Sequence, residues 1–102
     1  MNQKKFLIND GELEVWGIAT KILKDTPNSF DELNISFKAT VSNLSQNSDD
    51  VSIYIQAIDD EGFELELINL MGTVPVGTTK TLTSSELIDI ELYQQVKEWR
   101  VQ

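Results

Sequence analysis

The chain contains neither cysteine nor histidine, and these two absences exclude most familiar catalytic and metal chemistry. Without cysteine there are no disulfides, zinc thiolate sites, iron–sulfur clusters or cysteine nucleophiles. Without histidine the commonest general base and metal ligand is missing, and a Ser–His–Asp arrangement cannot be built. The five glycines stand apart, so the sequence has no glycine-rich phosphate loop. We therefore expect a protein that is not an enzyme and that needs no cofactor.

Basic residues are also scarce, because 8 lysines and arginines stand against 17 acids and leave a net charge of -9. An acidic surface repels both the phosphate backbone of nucleic acids and anionic membrane headgroups. No apolar run approaches the roughly 20 residues of a membrane-spanning helix. We expect no nucleic-acid partner and no membrane insertion.

The first ten residues begin like a signal peptide, with two lysines ahead of an apolar stretch. That stretch covers only residues 6–8, whereas the apolar region of a signal peptide needs about 7–15 residues. We therefore expect a cytoplasmic location for the chain as written, and a cell-envelope or extracellular location if a leader has been removed.

Strict alternation of apolar and polar residues is the clearest structural signal. Every odd residue is apolar and every even residue polar over 33–42, and residues 51–57 alternate in the same way. This period of two is typical of β-strands with one buried face. The segment 43–50 between them is rich in turn-forming residues. The pattern predicts that the two strands pair as an antiparallel hairpin.

The remaining chain predicts further short strands separated by turns. They are expected over residues 6–8, 12–23, 63–67, 78–83 and 99–101, with turns at Asn9-Asp10-Gly11, at 59–62 and at 75–77. Residues 89–96 predict a short helical turn capped by Asp89. One domain over residues 1–102, all-β and built as an immunoglobulin-like antiparallel β-sandwich of about seven strands, accounts for this pattern.

Three local motifs are similar to the FxLYD-like, immunoglobulin-like domains of bacteria. Residues 39–45 (Ala-Thr-Val-Ser-Asn-Leu-Ser) resemble a strand that ends in an Asn-x-Ser turn. Residues 55–62 resemble the stretch that names the family, with Ile, Ala and Ile where that family has aromatics, and 74–77 resemble its Pro-x-Gly turn. The resemblance implies a seven-stranded sandwich with an accessory or adhesive role in larger envelope proteins, and it brings no catalytic residues.

An exposed apolar patch is the first candidate for a binding surface. Tyr54 falls on the polar face of its strand, with Ile58 on the same face. Ile68 falls out of phase with Leu65 and Leu67 on the following strand. If the sheet brings Tyr54, Ile58 and Ile68 together, the patch would bind a protein partner or a second copy of the chain.

The two tryptophans have two competing interpretations, as core residues or as a binding platform. Trp99 shares a face with Val101, which favours the core. Trp16 lies in a strand with apolar residues on both faces, so it is retained as a partner-binding candidate.

The acidic turn Asp59-Asp60-Glu61 gives the alternative function, a small-ligand or Ca²⁺-binding domain. Carboxylate oxygens are the ligands that hard cations prefer. The competing interpretation is that neighbouring acids in a turn are simply solvated.

Overall fold

The computed structural model describes residues 5–8, 11–24 and 26–102, and in them the chain is all-β with one short helix. The elements are β1 (Phe6–Ile8), β2 (Leu13–Lys24), β3 (Glu32–Asn43), β4 (Asp50–Ile58), β5 (Glu64–Thr73), β6 (Thr79–Asp89), α1 (Ile90–Gln95) and β7 (Glu98–Val101). They form two antiparallel sheets packed as a sandwich, a four-stranded sheet in the order β1-β2-β3-β6 and a three-stranded sheet in the order β5-β4-β7. The predicted seven-stranded sandwich is confirmed.

The core lies between the sheets and is built from the alternating residues of the two central strands. The odd residues of β3 and the odd residues of β4 up to residue 57 are buried, and the even residues between them mostly face outward. The largest fully buried side chains are Phe37, Ile35, Ile53, Ile55, Leu70, Val15, Val41, Val74 and Asn43. Burial of this apolar surface is the main favourable term in the stability of the sandwich.

The predicted hairpin between the strands at 33–42 and 51–57 is wrong. β3 pairs with β2 and β6, whereas β4 pairs with β5 and β7, so the chain crosses from one sheet to the other between them. The crossing is fixed by Asn43, whose buried side chain makes four hydrogen bonds. Its Nδ2 donates to the carbonyl oxygens of Ser48 (2.8 Å) and Val74 (2.7 Å), and its Oδ1 accepts from the backbone N–H (3.0 Å) and hydroxyl (2.7 Å) of Ser45.

Both ends of the chain follow their predictions. β1 pairs antiparallel with β2, while Asn9 and Asp10 of the predicted turn lie outside the described residues. Asp89 caps α1, because its Oδ1 accepts the backbone N–H groups of Glu91 (2.9 Å) and Leu92 (3.3 Å).

Trp99 of β7 packs against the core, as predicted. Its ring meets Phe37 of β3 edge-on, with the ring centroids 5.0 Å apart. This contact joins the shortest strand of one sheet to the centre of the other.

β6 differs from its prediction in length. The short strand expected at 78–83 continues to Asp89 and pairs with β3 over its whole length, from Thr79↔Ser42 to Asp89↔Glu32. It is an edge strand, since among the described strands it pairs with β3 alone.

Candidate interaction surface

The outer face of the β5-β4-β7 sheet carries Tyr54 near its centre. The Tyr54 side chain is 43% exposed and stands on the middle strand of that sheet. Its neighbours along β4 on the same face are Ser52 and Gln56, both uncharged. The placement of Tyr54 on an outer sheet face therefore agrees with the sequence pattern.

Two apolar residues of β5 lie beside Tyr54. Met71 is opposite Ser52 and Leu67 is opposite Gln56, so both are diagonal neighbours of Tyr54, which is opposite Asn69. Diagonal side chains on one sheet face lie within reach of an aromatic ring. Met71 is 70% exposed and Leu67 is 37% exposed. We call the surface formed by Tyr54, Leu67 and Met71 the Tyr54 face.

The expected exposure of Ile58 and Ile68 is wrong, because both are buried, at 3% and 4% exposure. Ile68 is directly opposite Ile55 and points into the core with Leu70.

A β-bulge in β5 explains why the sequence pattern was misleading. Ala57 is opposite Glu66 whereas Ile58 is opposite Glu64, so Leu65 between the two glutamates has no partner on β4. An extra residue reverses which side chains face the core.

The same bulge ends the alternation of β4 at Ile58. At that point the Ile58 carbonyl oxygen accepts a hydrogen bond from the backbone N–H of Lys97 at 2.8 Å, where the chain enters β7. Ile58 and Ile68 are therefore inaccessible to a partner. Leu67 and Met71 are the apolar side chains of β5 that are exposed instead. The sequence contains a signal for this, because Ile68 and Leu70 alternate with them and would face the core.

Trp16 lies on the opposite outer face of the sandwich, so the structure does not bring it together with Tyr54. It is opposite Thr40 on the β1-β2-β3-β6 sheet and is half-buried. The Lys5 ammonium sits 4.6 Å from the centroid of the Trp16 ring and 3.7 Å from Glu14 Oε1. Trp16 is thus covered in part by Lys5, in a cation–π contact.

The acidic turn uses its first carboxylate to hold the backbone. Asp59 Oδ1 accepts the backbone N–H groups of Glu61 and Phe63, each at 2.9 Å, and Gly62 turns the chain with a φ of 88°. Asp60 and Glu61 are exposed. Within the described ranges no group of three or more acidic side chains could hold a metal ion.

Three carboxylates lie around the border of the Tyr54 face. Asp50 precedes Ser52 on β4, Glu64 Oε1 accepts from Gln56 Nε2 at 2.9 Å, and Glu98 on β7 pairs with Arg100. Three carboxylates therefore lie around the Tyr54 face, whereas Arg100 is opposite Gln56 on β7 and is a diagonal neighbour of Tyr54.

Two antiparallel sheets of four and three strands define a small all-β protein, but comparison with known proteins identifies no family for it. The chain matches no protein-family model, and a search of curated proteins finds no match either. No helix among the described residues is long and apolar enough to cross a membrane.

Proposed function

We propose that this chain is a non-catalytic interaction module that binds a protein partner through the Tyr54 face. One observation carries the proposal, which is that a sheet face of a chain with a net charge of -9 has a central cluster of Tyr, Leu and Met side chains beside Arg100, with no carboxylate among them. Depletion of acidic residues at the centre and enrichment in Tyr, Met and Arg are compositional signals of protein interfaces. Met adds a flexible side chain that adapts to a partner's contour.

The partner on this face is a different protein with an apolar centre and a basic border. The carboxylates of Asp50, Glu64 and Glu98 lie around the Tyr54 face, and the Arg100 guanidinium beside Tyr54 is already paired with Glu98. Two copies of the chain brought together through this face would oppose like-charged borders, which costs free energy. A partner with lysines or arginines at its border would instead gain from charge complementarity.

We further propose that the chain belongs with the immunoglobulin-like accessory domains that its motifs resemble. Two features support this assignment: the strand number, and the Asn43-Leu44-Ser45 turn that closes on itself through the Asn43 side chain. The accessory role is consistent with a binding face on a sheet.

The test of the Tyr54 face is a titration with a defined probe. The isotope-labelled protein is titrated with a peptide of alternating leucine and lysine, and the backbone amide chemical shifts are followed by nuclear magnetic resonance. We expect saturable shifts confined to β4 and β5 around Tyr54, Leu67 and Met71. Tyr54→Lys should weaken binding by about tenfold or more, because it removes an aromatic contact and adds a like charge.

Asn34→Lys is the matched control. Asn34 is an exposed outward-facing residue of β3 on the opposite face, so its substitution makes the same charge change away from the proposed surface. It should leave binding of the peptide nearly unchanged. If both variants weaken binding equally, or if the shifts spread over all acidic turns, the attraction is only the net charge and the Tyr54 face is not the site.

A further inference from the structure

The four edge strands of the described sandwich differ in how they are protected from pairing with another chain. β1 and β7 are short, with 3 and 4 residues. β5 carries the bulge at Leu65 between two glutamates. β6 has 11 residues, pairs with β3 without a bulge and contains no proline. Shortness, bulges and charges protect natural edges, and β6 has only charges, chiefly Lys80 and Glu86.

The charges on β6 indicate what pairs with it. Lys80 and Glu86 both belong to the row of side chains that shares a face with Leu82. Lys80 is exposed, and in the part of the chain that the structure describes no carboxylate lies within ion-pair distance of its ammonium. The two charges stand at equal distances in sequence on either side of Thr83.

We propose that β6 pairs antiparallel with β6 of a second copy about a two-fold axis at Thr83, which joins the two four-stranded sheets into one. A two-fold axis perpendicular to the sheet keeps the same faces on the same side. Residues opposite each other must then come from the same row of side chains. Centring on Thr83 places Lys80 of each copy opposite Glu86 of the other, which makes two ion pairs of opposite sign.

Two further pairs of this register are also compatible. Thr83 meets Thr83 and Thr81 meets Ser85 on the outer face, and cross-strand hydroxyl pairs stabilise sheets. Shifting the axis to Lys80 or Glu86 would oppose like charges. Shifting it to Ser84 would leave both charges opposite apolar side chains. The self-complementary charges therefore favour a second copy over an unrelated peptide, which needs no such symmetry.

Charge reversal tests the pairing. Sedimentation velocity over a concentration series at low and moderate salt should show a monomer–dimer equilibrium. Lys80→Glu and Glu86→Lys should each weaken the dimer by about tenfold or more, because each opposes like charges twice. The double variant Lys80→Glu/Glu86→Lys should restore the affinity. Lys97→Glu, which makes the same charge change at an exposed residue just before β7 in the other sheet, should not weaken it.

A second measurement fixes the register and does not depend on the charges. The chain has no cysteine, so Thr83→Cys introduces one thiol at the proposed axis. Diamide, a thiol oxidant, should convert two such thiols into one intermolecular disulfide, since Cα atoms directly opposite in a sheet lie within disulfide reach. Thr81→Cys alone should cross-link poorly, but it should cross-link with Ser85→Cys in a mixture of the two variants.

The proposal fails if the folded wild-type protein stays monomeric throughout the series. It also fails if the double charge reversal does not restore association, or if Thr81→Cys cross-links as well as Thr83→Cys. Tyr54→Lys should dimerise like the wild type, so a failure of this proposal is distinguishable from a failure of the Tyr54 face.

Discussion

Replacing Asn43 with alanine should be among the most damaging single changes to this fold. The substitution removes four hydrogen bonds at the point where the chain passes between the sheets. Three of the four are buried, and the fourth is partly buried. Each contributes roughly 0.5–1.5 kcal/mol, and the buried carbonyl of Val74 would lose its partner as well. We expect a loss of about 4 kcal/mol, which is a large share of the roughly 5–15 kcal/mol that stabilises a domain.

Asn28 provides a matched control with the same chemistry in an exposed loop. Its side chain makes three hydrogen bonds, with Glu32 Oε1 and with the backbone N–H groups of Phe30 and Glu32. Water replaces such bonds when the side chain is removed, so Asn28→Ala should cost about 1 kcal/mol or less.

Urea unfolding followed by circular dichroism measures both variants against the wild type. Asn43→Asp adds a further comparison, because it keeps the shape but loses the two donors and buries a charge against the carbonyl oxygens of Ser48 and Val74. It should be at least as destabilising as Asn43→Ala. If Asn43→Ala costs no more than Asn28→Ala, the reasoning about the buried network is wrong.

The remaining predictions concern packing, capping and the acidic turn. Phe37→Ala should cost about 3–5 kcal/mol in urea unfolding, since Phe37 is fully buried in the core. A Cβ on Gly72 would lie 2.7 Å from Leu82 Cδ2, so Gly72→Ala should cost about 1–3 kcal/mol and the cost should fall in a Leu82→Ala background. Asp89→Ala should cost about 1 kcal/mol and reduce the helical signal in circular dichroism, because two capping hydrogen bonds are lost. Millimolar calcium should leave the melting temperature unchanged, because Asp59 already accepts two backbone N–H groups; a clear rise would point to a cation site in the turn.

Local signals in the sequence predict individual elements well. The alternation in β3 and β4 depends only on which side chains face the core, and each strand carries that information within itself. The Asp89 cap is equally local, because the carboxylate bonds to N–H groups two and three residues later. Such features need no knowledge of the rest of the chain.

Strand pairing and the buried face of β5 depend on distant residues and could not be predicted in this way. Residues 43–50 look like a hairpin turn, but Asn43 bonds to Val74 far along the chain and directs β4 into the other sheet. In β5 the alternation of residues 63–67 points to the wrong buried face, because the bulge at Leu65 exists only relative to β4. For this reason the sequence predicts Ile68 on the binding surface, whereas the structure places Leu67 there.

The Tyr54 face and the β6 edge together predict bivalent binding. A two-fold axis perpendicular to the paired sheets leaves both three-stranded sheets on one side of the dimer, so the two Tyr54 faces point in the same direction. Two linked sites on one surface raise apparent affinity for a surface-bound partner by about 10²–10⁴ when both engage.

The disulfide-linked Thr83→Cys dimer and the Lys80→Glu monomer provide the comparison. Both should bind the leucine–lysine peptide with equal affinity per site in solution, because neither substitution touches β4 or β5. On a dense layer of the immobilised peptide, surface plasmon resonance should show much slower dissociation for the linked dimer, and Tyr54→Lys should abolish that difference. Equal dissociation rates on the dense layer would mean that the two faces do not point the same way, and would contradict the two-fold arrangement even if the chain dimerises.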